Sequence, residues 1–405
     1  MAQECDGLGS ALVSAPRLAR DVTAALVAVL VARLAVNGGI RVVYPFLPEI
    51  ARGLGVSLAV VSALVAVRSL VGVGAPLVAR AAESAGRRAV MLAGLVAALA
   101  GALTVVAAPA IAGPGTSTVI VVAGVGFVLA GVAKPAFDVP MQGWFGARVP
   151  YQRRSRVLGI TELTWALSLL ATVPLAGLLI PRVGWQSAFW IVAGLAVAGL
   201  AAVAVLLAPD RPAIRDRRPL RLTADRLRVL GVVLAFSIAA EMMFVVYGAW
   251  LEDDLGLSVT AIGVFTIVVV ASELAGEGGV AAFADRLGAK RTILYGLLAS
   301  GLAYAATGAV GGSLVAALAV VVVWFIGFET TIVATIPLVS ELAAESRDRL
   351  LSLMVTMIAV SRAAGALVGP ALYDAGGIAL PGLAAAAATV IAALLLWRVP
   401  EPFRP

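Results

Sequence analysis

The chain has 405 residues, of which 61% are apolar and 13% are charged, and its mean hydropathy is +1.04. Soluble domains carry about 25% charged and about 45–50% apolar residues, so a water-soluble fold is excluded. A membrane-spanning helix takes about 20 residues plus a loop, which leaves room for about a dozen spans. The sequence therefore predicts an all-α polytopic membrane protein with the lipid bilayer as its partner.

The residues that the chain lacks limit its chemistry. It has no histidine and a single cysteine, Cys5, in a polar N-terminal tail. These absences exclude histidine acid/base catalysis, a cysteine nucleophile within the fold, thiolate metal sites and histidine-ligated haem. The net charge of +7 indicates membrane topology rather than nucleic acid binding, because basic residues cluster beside membrane spans. We expect no enzyme activity, no cofactor, no metal and no nucleic acid partner.

Twelve apolar segments are predicted to be transmembrane helices. They are 22–48, 58–80, 89–110, 117–142, 157–180, 187–208, 229–251, 260–282, 292–311, 313–340, 350–373 and 380–397. The connections on the side of both termini hold 23 basic residues, and those on the other side hold only Arg52 and Arg182. Because positively charged loops stay cytoplasmic, we expect a multi-pass protein of the plasma membrane with both termini in the cytoplasm.

The longest polar connection divides the spans six and six. The predicted domains are an N-terminal tail 1–21, a six-helix bundle 22–208, a cytoplasmic linker 209–228, a second six-helix bundle 229–397 and a C-terminal tail 398–405. At an offset of 202 residues, the loops after the second span of each half match at Glu83 with Asp285, Gly86 with Gly288 and Arg88 with Lys290. Their equivalent positions indicate a duplication and two pseudo-symmetric bundles.

Eleven ionisable residues fall within the predicted spans. They are Arg33, Arg41, Arg68, Lys134, Asp138, Glu162, Glu241, Glu273, Glu277, Glu329 and Arg362. Each costs about 2.5–3.5 kcal/mol to insert at the bilayer centre. Spans 3, 6, 9 and 12 carry none, so we expect these four helices to face lipid while the other eight enclose a polar site. Repeated helix triplets around a polar midplane are typical of secondary transporters.

Several of these residues share a helix face at a spacing of four. Arg33, Asn37 and Arg41 form one stripe, and Lys134 and Asp138 are placed to neutralise each other. Glu273 and Glu277 lie about 6 Å apart along their helix, which favours a shared proton. An alternative stays open, in which the charges pair with arginines such as Arg362 and only hold helices together.

The loop sequences resemble a known family. ESAGRR (83–88) and DRLGAKR (285–291) resemble the D-R-x-G-R-R loop of the major facilitator superfamily. The stretches that resemble its twelve-helix drug and sugar efflux branch, which is drug/proton antiporter-like, are YPFLPEIARGLGVS (44–57), VPYQRRSRVLGITELTWALS (149–168), GWQSAF (184–189) and SRDRLLSL (346–353). The resemblance implies two six-helix bundles that rock about a central cavity lined by helices 1, 4, 7 and 10.

The resemblance also implies roles for particular residues. Its cavity would hold a small-molecule substrate at Asn37, Arg41, Lys134, Asp138, Trp165 and Tyr247. A latch between the halves at the inner face would comprise Glu83, Gly86, Arg87, Arg88, Asp285, Arg286, Gly288, Lys290 and Arg291.

Proton coupling is predicted at Glu241 and Glu329, near the middle of spans 7 and 10. Arg41, across the cavity, is the cation expected to offset their charge in one conformation. Glu273 and Glu277 are the second choice, because family analogy puts their span nearer the bundle edge.

The chain departs from the family pattern at three places. Ala79 and Ala81 stand where loop copies carry glycine, and Phe127 occupies the position of an arginine in span 4 of proton-coupled members. The antiporter motif of span 5 keeps Pro174 and Gly177 but has Val173 before the proline.

The expected function is monomeric export of small organic molecules in exchange for protons. Proton symport or facilitated uptake of a metabolite is the alternative within the same class. A non-transporting membrane sensor or an intramembrane enzyme is the alternative from another class, and it predicts a soluble domain or a catalytic constellation that the sequence does not display.

Overall fold

The computed structural model describes residues 20–149, 157, 159–210, 222–342 and 347–400, without the side chains of residues 20, 21, 285, 347 and 348. Within these ranges the regular structure is helical and contains no strand. The ends of the predicted tails (1–19 and 401–405) and most of the predicted linker (211–221) lie outside the described residues, so the domain boundaries stay predictions.

The prediction of twelve transmembrane helices is confirmed. Twelve helices within the described ranges are long and apolar enough to cross a membrane, and they are numbered here as spans 1 to 12. Their bounds are Val22–Arg41, Leu58–Ala85, Arg87–Ala112, Ser117–Arg148, Gly159–Val183, Ser187–Leu206, Ala224–Asp253, Val259–Ala284, Ala289–Ala309, Leu314–Leu342, Arg349–Gly376 and Ala379–Trp397.

Span 1 is shorter than its prediction. The helix ends at Arg41 rather than at residue 48, and a separate short helix, Leu47–Leu54, follows a turn. Proline fixes its own φ, lacks an amide hydrogen and disfavours helix in the preceding residue, so Pro45 interrupts the helix and Pro48 lies in the first turn of the next one. The apolar run over these residues concealed the break.

Spans 3, 6, 9 and 12 lie at the periphery. Span 3 packs against span 6 and span 9 against span 12, and their principal contacts all lie within their own half. Their exposed apolar side chains include Val96, Leu103, Trp190, Val197, Leu298, Leu302, Val390 and Leu394. These surfaces match the expectation from the missing charges that the four helices face lipid.

The two halves repeat one another in backbone detail. Gly86 (φ 91°) and Gly288 (φ 83°) each precede the third helix of a half in a conformation that favours glycine. Gly94 of span 3 packs on the span 4 backbone, and Gly296 of span 9 packs on span 10. Both pairs of glycines belong to the 202-residue repeat, so the duplication predicted from the loops extends into helix packing.

We call the face at which span 1 begins the terminal face and the opposite one the distal face. At the distal face spans 5 and 8 cross so closely that a Cβ on Gly263 would lie 3.0 Å from the Cα of Gly177. The Thr260 hydroxyl donates a hydrogen bond to the Gly177 carbonyl (2.9 Å), and Arg52 forms an ion pair with Glu252 (2.8 Å). The halves therefore meet at the distal face.

The glycine crossing generates a prediction. Gly263→Val should hold spans 5 and 8 apart, because the added side chain meets backbone atoms that have no rotamer to move away. Distances between spin labels at the distal ends of these spans should increase. Gly278→Val on the same span, where a Cβ meets no atom within 4 Å, is the control. A distance distribution identical to that of the wild-type protein would contradict the role of the crossing.

Candidate functional site

A cleft lies between the two halves. Its lining residues come from spans 1, 5, 7, 8, 10 and 11, and they include Arg41, Trp165, Tyr247, Glu273 and Arg362. The expectation from the family was a lining of helices 1, 4, 7 and 10. Spans 1, 7 and 10 line the cleft as expected. Spans 5, 8 and 11 also line it, although the resemblance did not imply them.

An ion pair between the halves lies at the centre of this cleft. Both guanidinium Nη atoms of Arg41 donate to the Glu273 carboxylate, and Nη1 also donates to the Trp165 carbonyl (2.9 Å). The side chains of Arg41 and Glu273 are 7% and 2% exposed. The family analogy placed span 8 nearer the bundle edge; the structure corrects this, because Glu273 reaches the central cation that was expected to face Glu241 and Glu329.

Glu241 has a different set of partners. It is 1% exposed, and Tyr44 of span 1's following turn donates its hydroxyl proton to the carboxylate (2.7 Å). Arg68 in turn donates to the Tyr44 oxygen (3.0 Å), while Arg362 approaches Glu241 with its Nε at 3.7 Å. Tyr44 and Glu241 thus form a second polar contact between the halves at the level of the cleft.

A third polar cluster lies within the N-terminal half. Lys134 bonds to Asp138 (2.6 Å) and to Asn37 (3.0 Å), so the expected neutralisation within span 4 is present. Arg33 forms ion pairs with Asp138 (3.2 Å) and Glu162 (2.9 Å). Two acids and two bases are therefore matched in one network that joins spans 1, 4 and 5.

Side-chain exposure differs widely among the charged residues of these clusters. The Arg41 side chain is 7% exposed, that of Lys134 is 29% and that of Glu162 is 56%. Together with the contacts between the halves at the distal face, the exposure of Glu162 near the terminal end of span 5 indicates a cleft that is reached from the terminal face.

Glu329 is the buried carboxyl group with the fewest partners. It is 3% exposed, it has no ion pair with any described residue, and its Oε1 atom accepts no hydrogen bond. Span 8 packs closely beside it, because a Cβ on Gly276 would lie 2.9 Å from the Glu329 Cβ. An ionised carboxylate in this surrounding would lack the compensation that Glu241 and Glu273 receive.

Aromatic side chains form the wall of the cleft in the C-terminal half. The Phe244 ring lies 5.6 Å from Phe325, 5.2 Å from Phe328 and 6.0 Å from Tyr44. Tyr247, one of the predicted wall residues, also lines the cleft. The phenylalanines were not predicted, because apolar rings in apolar spans carry no signal that separates a cleft wall from a helix interface.

The residues of the two repeated loops make contacts within their own halves. Asp210 accepts hydrogen bonds from the Arg87 amide (3.0 Å) and guanidinium (3.1 Å), and Arg88 donates to the Ala204 carbonyl (2.5 Å). In the other half Lys290 donates to the carbonyls of Trp397 (2.9 Å) and Val399 (2.6 Å). These bonds fasten the third helix of each half to the sixth. The Asp285 side chain lies outside the described residues, and the latch between the halves stays a prediction together with Glu83, Gly86, Arg286, Gly288 and Arg291.

Two arginines were recognised as intramembrane charges but not assigned to the site. Arg362 lines the cleft and lies 5.8 Å from the Trp165 ring centre, and Arg68 lies 6.0 Å from the ring centre of Phe127. The available signal was their cost within the membrane, which requires a partner for each. Phe127 occupies the position where the family resemblance led us to expect an arginine in span 4. The guanidinium of Arg68, from span 2, lies beside this position.

Comparisons with known proteins agree with this architecture. The family description "Major Facilitator Superfamily" matches residues 29–272 and 229–405, which together span most of the chain. The chain belongs to this superfamily. It is 27% identical over 372 residues to the "Uncharacterized MFS-type transporter YwfA" of Bacillus subtilis (strain 168), covering 87% of this chain and 86% of the relative. Membership of this superfamily identifies the chain as a multi-pass membrane transporter.

A solved structure with the same fold is that of the human organic anion transporter MFSD10 (TETRAN). The superposition gives a TM-score of 0.68 at 15% identity and covers 93% of this chain and 99% of the other. At this identity the likeness concerns the fold, and it supports the twelve-helix arrangement of two six-helix bundles.

The central ion pair generates a prediction about stability. Arg41→Met and Glu273→Met should each lower the melting temperature of the purified protein, because each leaves one buried charge unpaired, a change worth about 3–5 kcal/mol. The double variant should lose less than the sum of the two single losses. Arg52→Met serves as the control, since its pair with Glu252 is more exposed and such pairs contribute about 0–1 kcal/mol. Additive losses in the double variant would show that the two residues are not coupled.

Proposed function

We propose that the protein is a secondary active transporter of the drug/proton antiporter type, which exports small organic molecules in exchange for protons by alternating access. The observation that carries this proposal is the set of polar contacts that cross between the halves within the cleft. Arg41 with Glu273 and Tyr44 with Glu241 join elements of opposite halves. Rocking of the bundles about the cleft must break and re-form these contacts.

Breaking the contacts supplies a physical link to protons. With Arg41 paired to Glu273, Glu329 has no cation partner among the described residues and is proposed to hold a proton. When the halves separate, Arg41 leaves Glu273. The positive charge near the carboxyl groups of spans 8 and 10 then changes. The affinity of Glu329 for a proton then differs between the two arrangements of the halves, and proton coupling requires such a difference.

Export, as the direction of transport, is proposed together with the orientation of the protein. Both termini are assigned to the cytoplasm by the distribution of basic residues, so a cleft reached from the terminal face takes substrate from the cytoplasm. We further propose a monomer in the plasma membrane, with protons as the coupling ion and with no enzyme activity, cofactor, metal or nucleic acid partner.

Transport in proteoliposomes tests the proposal. The purified protein is reconstituted with an imposed pH gradient, and accumulation is measured for a panel of small organic molecules. Antiport predicts accumulation in the compartment of higher proton concentration and dissipation of the gradient by substrate. Accumulation in the opposite compartment would indicate symport and uptake, and equilibration without accumulation would indicate a facilitator. Both results would contradict antiport.

Glu329 should be required for uphill transport. Glu329→Gln keeps the size of the side chain but removes its proton, so accumulation driven by the pH gradient should be abolished while substrate counterflow remains measurable. Glu341→Gln, an exposed acid at the terminal end of the same span, should accumulate substrate normally. Glu241→Gln is measured in parallel, because it is the other predicted proton carrier near the middle of its span. Wild-type uphill transport in both variants would move the proton to Glu273 and Glu277 or to Asp138.

The proposed latch has its own test. Asp285→Asn should shift the population toward the arrangement that is closed at the distal face, because it removes the acid expected to hold the halves together at the terminal face. Distances between spin labels on the terminal ends of the two halves report the shift. Asp225→Asn, at the terminal end of span 7, is the matched control. If neither variant changes the distances, the loop motif acts only within each half, as the bonds of Arg87 and Lys290 do.

A further inference from the structure

The two cations that line the cleft, Arg41 and Arg362, differ in their contacts. Arg41 and Glu273 neutralise each other through a two-pronged contact. Arg362, the other cation in the lining, forms no hydrogen bond with any residue that the structure describes, and its side chain is 21% exposed. A guanidinium carries five donors, and this one presents them beside a cavity in the middle of the membrane.

Arg362 forms an ion pair with Glu241 but leaves its donors without a hydrogen bond among the described residues. Glu241 is 3.7 Å from the Arg362 Nε atom, beyond hydrogen-bonding distance, and it is 1% exposed behind its bond from Tyr44. Glu329 lies beyond ion-pair distance from Arg362. An anion that enters the cleft therefore finds a guanidinium fork without a competing hydrogen-bonded acceptor.

The surroundings of Trp165 disfavour a cationic ligand. Its ring has three protein cations around it: Arg41 at 4.5 Å, Lys134 at 5.2 Å and Arg362 at 5.8 Å from the ring centre. An indole face is the group that would attract a ligand cation. Here that position is already held by side chains of the protein, which would repel a second positive charge.

The opposite wall of the cleft suits an apolar group. Phe244, Phe325 and Phe328 line it without a charged neighbour between them. Arg362 and these three phenylalanines line the same cleft.

We propose that the substrate is an organic anion with one acidic group and an aromatic or otherwise apolar body. Arg362 binds the acidic group, and Phe244 with its neighbouring phenylalanines packs against the body. This inference rests on the proposed transport function and names the substrate class of the same cleft. Arg362 belongs to the C-terminal half and Trp165 to the N-terminal half, so the bound anion is held where the two halves meet.

Binding to the purified full-length protein in detergent tests the proposal without transport. Calorimetric titration compares three ligands that share one ring: indole-3-acetate, indole-3-acetamide and tryptamine. The carboxylate should bind about tenfold more tightly than the neutral amide, as expected for charge-assisted bonds, and the amine should bind most weakly. Arg362→Gln should reduce the preference for carboxylate over amide to about onefold, and Arg362→Lys should retain part of it.

Arg349→Gln is the matched control, because it removes an exposed arginine from the terminal end of the same helix. Size-exclusion profiles and melting temperatures establish that each variant is folded. Equal binding of carboxylate and amide by the wild-type protein, no carboxylate binding, or an unchanged preference in Arg362→Gln would each overturn the anion subsite.

Transport separates this inference from the proposed function. Carboxylate binding that depends on Arg362, without accumulation in proteoliposomes, would support the subsite and overturn the transporter mechanism. Proton-driven accumulation of neutral or cationic compounds alone would support the transporter mechanism and overturn the subsite.

Discussion

The cost of charge within a membrane is the constraint on which the rest of this structure depends. An ionisable side chain at the bilayer centre needs a partner, and the chain places eleven such residues in its spans. Arg33, Lys134, Asp138 and Glu162 meet this requirement within one half. Arg41 and Glu273 meet it only when the two halves lie together. The free energy of the central pair is therefore tied to the relative position of the bundles.

The two kinds of contact between the halves have different consequences for motion. At the distal face, Gly177 and Gly263 meet through backbone and van der Waals contact, and the ion pair of Arg52 with Glu252 there is exposed, so this face can separate without leaving a buried charge unpaired. At the level of the cleft, separation exposes or unpairs Arg41, Glu273 and Glu241. Closure at the distal face therefore depends mainly on close packing, whereas the contacts at the cleft depend on buried charges. Alternating access requires both kinds of contact, because the two faces must open in turn and the bound substrate or proton must control which face is open.

The proton and the proposed substrate anion share one set of charges. Glu329 lacks a cation among the described residues, and Arg362 lacks a hydrogen-bonded acceptor. In this view proton and substrate need not touch the same atom, because each changes the electrostatic potential in which the other binds.

The sequence by itself determined the fold class, the twelve spans, the duplication and the set of helices that carry charge, because these depend on composition and on periodicity along the chain. It also identified Lys134 with Asp138, whose spacing places both on one face of a single helix. Only the tertiary structure decided that Arg41 pairs with Glu273 rather than Glu241 or Glu329. Residues 232 positions apart meet according to the rotation and depth of each helix, which no local pattern encodes. For the same reason the break after Arg41 and the aromatic wall at Phe244 escaped prediction, since both lie in apolar sequence where only packing distinguishes one position from the next.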